Sequence, residues 1–166
     1  MALAKLNYRM RTESELRKSL RELEFSDEET DAVLEELINY GYIDDERYIR
    51  EFYRTSRLKN WSRNRIIRAL GDKGISRAKA SEVMDEFEDS DEFSDMGLTS
   101  DDRAQALELG RNLLRKHIAS SKAADDRFWG KIGRRLMTLG YDQGCCYFVI
   151  KKLKDLVKSG IREEEL

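Results

Sequence analysis

Two aspartates and a glutamate stand side by side in GYIDDERY, residues 41–48. Adjacent carboxylates are the groups that hold divalent metals or move protons at hydrolytic centres. Asp44, Asp45 and Glu46 would need a further ligand or base at a defined spacing, and the sequence holds no second carboxylate cluster with a supporting His or Cys. His117 is the only histidine, without a Ser or Cys nucleophile and an Asp set around it. Cys145 and Cys146 adjoin with no second pair, so neither a disulfide framework nor a zinc spacing is available. They are expected to be reduced and to pack in the last hairpin, with a redox role as the alternative. The reading is therefore no catalytic residue, no metal and no cofactor. The acids have a mechanical use instead. Asp44 or Asp45 is expected to cap the helix that follows, a contribution of about 0.5 to 2 kcal/mol, while the acids complement its positive end. Tyr42 and Ile43 would then enter the core.

Charge supplies the second candidate site. The 166 residues carry a net charge of -2, but the sum hides a segregation. From Arg47 to Ala80 eleven Lys and Arg face only Glu51 and Asp72, a net charge of +9. From Ser81 to Asp102 there are ten acids and no base. Arg47, Arg50, Arg54 and Arg57 recur at three and four, so they share one helix face. Lys59, Arg63, Arg65, Arg68, Lys73 and Arg77 continue the field, and Arg134 and Arg135 add to it later in the chain. Such a face attracts phosphates or an acidic partner, with affinity that falls as salt rises; a solvated face is the alternative. Tyr48, Tyr53 and Trp61 would stack on unpaired bases or, as helical spacing favours, belong to the core. The acidic stretch reads as a solvated linker, or as a segment that folds over the basic face and competes with nucleic acid.

These residues are positioned by helices. There is no proline, 39% of the residues are charged and 40% are hydrophobic, a composition that suits thin helical layers better than one thick core. No apolar run is long enough to span a bilayer and MALAKLNYRM lacks a signal-peptide core, so a cytoplasmic protein is expected. An internal repeat organises the chain. Residues 12–37 lie over 62–87 without a gap: Leu16 on Ile66, Leu20 on Leu70, Phe25 on Ile75, Leu34 on Met84, Leu37 on Phe87. A third copy, 66 residues further on, puts Ile132, Leu136, Tyr141, Asp142, Val149, Ile150 and Leu153 in the same places. Within each copy the apolar spacing makes a helical hairpin. Thr12 with Glu15 and Ser26 with Glu29 have capping-box spacing, Ser62 is a further cap with Trp61 as a staple onto Ile66, and Gly41, Gly74 and Gly140 mark helix ends. Leading helices over 2–11, 45–59 and 101–120 complete three helices per unit. The expected fold is all-α, a tandem array of three three-helix modules forming an elongated, curved molecule. Its parts are a first module 1–43, a central basic module 44–88, a flexible acidic linker 89–100 and a third module 101–166.

GYIDDERY followed by a basic helix and RNRIIRALGDKGIS resembles the central repeat of the RecX family, bacterial regulators of the RecA recombinase, and RRLMTLGY resembles the family's closing hairpin. Asn60, Ser62 and Arg63 stand where the family usually has glycines and a proline; Asn tolerates positive φ and Ser caps well, so the turn is expected to survive. The stretch ahead of the first helix is short beside the family's. The resemblance implies a monomeric, non-enzymatic protein that lies along the RecA filament on single-stranded DNA, with duplex DNA as a further ligand. It implies suppression of RecA's ATPase, strand exchange and co-protease activity. A general nucleic-acid-binding helical module acting without RecA is the runner-up. A helical-repeat scaffold for another protein, and last an enzyme, follow.

Overall fold

The computed structural model describes residues 10–120 and 124–159. The helices are α1 Glu13–Arg21, α2 Asp27–Asn39, α3 Asp45–Leu58, α4 Arg63–Gly71, α5 Arg77–Glu88, α6 Asp91–Asp95, α7 Asp102–Ile118, α8 Asp126–Thr138 and α9 Gln143–Lys158, with no strand among the described residues. The leading helices expected over 45–59 and 101–120 are α3 and α7. The one expected over 2–11 lies outside the described residues, except that Met10 and Arg11 are not helical.

The caps follow the repeat. The second helix of each hairpin starts at an equivalent position, where Ser26, Ser76 and Asp142 accept the amides of Glu29, Lys79 and Cys145. Ser26 completes a capping box, because its own N–H donates to the Glu29 carboxylate at 2.9 Å. At Thr12 the hydroxyl accepts from the Glu15 amide and donates to the Lys73 carbonyl at 2.7 Å. Glu15 meets the Lys73 ammonium at 2.8 Å.

Two compact units form: Met1–Thr55 with Ile66–Ser94, and Ser56–Arg65 with Asp95–Leu166. In the first, Leu16 and Leu20 of α1 pack with Leu34 and Leu37 of α2 and with Ile43. A second group there joins Tyr53 of α3, Phe87 of α5 and Phe93 of α6, with ring centroids 5.6 to 6.3 Å apart. This corrects the expectation of a flexible linker over 89–100: α6 lies inside it, and burial of Phe93 holds it down. Phe25 is a second departure. It is 37% exposed, although its repeat partners Ile75 and Tyr141 are each only 4% exposed.

In the second unit α7, α8 and α9 enclose Ala106, Leu114, Trp129, Ile132, Leu136 and Val149. Cys145 and Cys146 are free thiols in this core. Burial, then the neighbouring Cys146 and Asp142, pushes the Cys145 thiol up to about 11, and burial raises Cys146 as well. A thiol raised above its unfolded value of about 8.5 favours the folded state below that pH, and the contribution is lost as pH rises through the folded value. Iodoacetamide at pH 8 is accordingly expected to alkylate both thiols slowly in the native protein and more than roughly tenfold faster in denaturant. Equal rates would place the thiols outside the core.

The turn inside each hairpin has one residue with left-handed φ, and the repeat aligns them: Glu24 at 64°, Gly74 at 81° and Gly140 at 94°. Glu24 bears the steric cost of that conformation, about 1 kcal/mol, which glycine avoids. At Gly74 a Cβ would also lie 2.0 Å from Ser14 Oγ and 2.2 Å from its Cβ. Urea unfolding should therefore show Glu24→Gly more stable by about 1 kcal/mol and Gly74→Ala less stable by about 3 kcal/mol, strain and overpacking combined.

Candidate nucleic-acid and partner interface

The acids of GYIDDERY have three separate partners. Asp44 Oδ1 accepts the Arg47 N–H at 2.9 Å and so caps α3. Asp45 Oδ1 accepts the Glu13 N–H at 3.0 Å, the first amide of α1 and 32 residues away. Glu46 pairs loosely with Arg50 at 3.8 Å. Two aspartates thus satisfy orphan amides on two helices, each through one carboxylate oxygen. Among the described residues no three His, Cys, Asp or Glu come together as metal ligands. Ile43 enters the core, but Tyr42 is 57% exposed, against expectation. Gly41 has left-handed φ and turns the chain there, so Tyr42 faces outward beside exposed Tyr40, with the rings 6.4 Å apart.

The basic residues divide by environment. Arg57 does not belong to an accessible face: it is 0% exposed, which corrects the reading from helical spacing. Its guanidinium meets Asp102 Oδ1 at 2.5 Å and donates to the carbonyls of Thr99 and Trp61. Arg50 lies 3.9 Å from Glu86, Arg54 pairs with Glu51 at 3.0 Å and Lys73 with Glu15. Glu86 and Asp102 come from the acidic stretch, so part of it does meet basic residues. Such pairs on exposed side chains contribute little stability, but they reduce the field offered to an anion.

In the second unit the 59–65 turn is tied to the α8–α9 turn. Ser62 N–H donates to the Leu139 carbonyl at 2.9 Å, and the Arg65 guanidinium donates to the Thr138 carbonyl while lying 3.9 Å over the Trp61 ring. Arg63 sits half-buried, its N–H donating to both Asp102 oxygens at 3.1 Å. Tyr48 and Tyr53 are buried, and the Tyr53 hydroxyl donates to Glu88, so neither presents a ring to a base. Arg47, Lys59, Arg68, Arg77, Arg134 and Arg135 are exposed. Of these, Arg47, Lys59, Arg77, Arg134 and Arg135 meet no carboxylate among the described residues. Sequence reasoning missed Lys116 and Lys131, exposed cations of α7 and α8. The spacing of Lys131 to Arg135 around Ile132 was the available signal.

Helices capped in register at equivalent positions define an all-helical repeat protein. Family models for the first and second three-helix domains of RecX match residues 1–37 and 44–84. A regulatory protein RecX of Clostridium perfringens is 30% identical over 92% of this chain and 66% of its own length, and one of Amycolatopsis mediterranei is 29% identical over 89% and 77%. A crystal structure of RecX from Lactobacillus salivarius shares the fold, with a TM-score of 0.66 at 22% identity over 92% of both chains. Another crystal structure, of regulatory protein RecX, gives 0.60 at 26% identity over 90% of this chain and 68% of that one. The chain belongs to the RecX family. It spans just under two thirds of the length of the Clostridium perfringens relatives. No helix among the described residues is long and apolar enough to cross a membrane.

Arg57→Ala would leave Asp102 without its buried partner. It is expected to cost about 3 to 5 kcal/mol by urea unfolding. Arg47→Ala and Arg77→Ala should stay within about 0.5 kcal/mol of the parent. A parent-like melting curve for Arg57→Ala would return that residue to the surface.

Proposed function

We propose that this protein is a non-enzymatic modulator, mainly an inhibitor, of the RecA recombinase. In this reading it binds as a monomer along the RecA filament on single-stranded DNA and suppresses ATP hydrolysis, strand exchange and co-protease activity. Membership of a family of regulatory proteins supports it. The observation that carries it at residue level is the set of exposed cations, Arg47, Lys59, Arg77, Arg134 and Arg135, which meet no carboxylate among the described residues, whereas Arg50, Arg54, Arg57 and Lys73 are paired. Arg50, Arg54, Arg63, Arg65, Arg68 and Lys73 would flank them, and Arg57 would act only through the fold. The modules 1–43, 44–88 and 101–166 serve as the units of docking. Duplex DNA would be a weaker ligand of the same cations, with a steep salt dependence.

Added below the concentration of RecA, the protein should lower DNA-dependent ATP hydrolysis and strand exchange. Arg47→Glu with Arg77→Glu should weaken that effect at an unchanged melting temperature. No change in RecA's ATPase would refute the reading. Equal affinity for single and duplex strands without RecA would instead favour a general nucleic-acid-binding module.

A further inference from the structure

The basic-face reading leaves unused a cavity that combines an apolar surface with exposed cations. It lies between α7 and α8, in the second unit, with a volume of about 510 Å³. Leu113, Phe128 and Ile132 make its apolar surface. His117 stacks on Phe128, with ring centroids 3.9 Å apart and planes inclined by 16°, so one wall is a pair of parallel aromatic rings. Lys116, Lys131 and Arg135 stand around it, exposed and meeting no carboxylate among the described residues. Lys131 and Arg135 are one helical turn apart, so both charges lie on the same side of α8.

An apolar hollow with three unmatched cations at its edge calls for an occupant that is apolar in the body and anionic at the margins. The volume is in the range of small-ligand pockets, and a nucleotide unit has that build. A base in a duplex is held in its stack, whereas a base of a single strand is free to enter a hollow while its phosphates stay on cations. We propose that this cavity takes one unstacked nucleotide of single-stranded DNA. The base lies against Leu113 and His117, which Ile132 and Phe128 back from the core, and the flanking phosphates meet Lys116 on one side and Lys131 with Arg135 on the other. The proposal rests on the reading that the protein works on a single strand. It adds a base-holding site outside the basic helix.

Fluorescence anisotropy of the full chain with a labelled oligothymidylate tests it, beside an abasic strand of equal length and charge. The thymidine strand should bind about tenfold tighter at the same salt, the size of effect expected for one held base. Ser120→Trp reaches the cavity from an exposed position and should erase that difference, with its melting curve confirming the fold. Lys131→Glu with Arg135→Glu should weaken both strands. Equal binding of thymidine and abasic strands would overturn the proposal, as would full discrimination by Ser120→Trp. Tighter binding of an acidic peptide than of the strand would overturn it in favour of a protein ligand. The two readings separate: inhibition of RecA without base discrimination sinks the cavity proposal alone, and base discrimination without any effect on RecA sinks the proposed function alone.

Discussion

A guanidinium shut off from water must be met by an anion and by carbonyls, or the fold that buries it is not stable. Arg57 imposes that constraint on the second unit. Asp102 answers it and at the same time accepts the Arg63 amide, so one carboxylate serves both the end of α3 and the start of α4. The Thr99 carbonyl fixes the strand of chain just ahead of α7 to the same cation. Gln105, one turn into α7, donates to the Arg57 carbonyl at 2.7 Å and accepts from the Tyr141 hydroxyl at 3.3 Å. Burial holds that phenol well above its ordinary range, so it stays protonated and able to donate around neutral pH. Between Arg57 and Ser62 the chain turns at Asn60, with φ of 60°, whose N–H donates to the Arg57 carbonyl at 2.8 Å.

The same pairing logic runs through the rest of the charge pattern. The sequence segregates its acids and bases into adjacent blocks, and folding mixes them again at chosen points, Arg50 with Glu86 and Arg57 with Asp102, while the Tyr53 hydroxyl donates to Glu88. The acidic block is therefore neither a free linker nor a lid over the whole basic face. Phe93 holds its middle on the first unit's aromatic group, while its acids reach individual partners. What is left exposed is a smaller set of cations than the count of eleven suggests. That smaller set is what an anionic partner would meet.

Much of this was legible in the sequence because it depends on near neighbours. The start of α2, α5 and α9 at Ser26, Ser76 and Asp142 could be read from the repeat, since an N-cap bonds an amide three residues on. Asp44 as the cap of α3 is the same kind of fact. Phe25 and Tyr42 misled because hydrophobicity alone does not say whether a turn leaves room inside. Glu24 is instructive in another way: alignment places it on Gly74 and Gly140, yet its residue type carries no sign of left-handed backbone. The candidate site was less legible than the fold. Helical spacing put Arg57 on the face of Arg50 and Arg54, but whether a cation on that face meets water or a carboxylate 45 residues away is not a local property.

By itself, then, the sequence determined the hairpin helices with the caps that recur in the repeat, the leading helices over 45–59 and 101–120, the threefold hairpin repeat and the separation of charge. Each of these follows from interactions spanning a few residues or from periodicity along one helix. The tertiary structure alone decided that Asp45 caps α1 as its neighbour caps α3, that Arg57 is buried while Arg47 and Arg77 stay exposed, and that a cavity opens between α7 and α8 beside three cations. Those outcomes depend on which surfaces are brought together across tens of residues, where burial turns a charge from a surface group into part of the core.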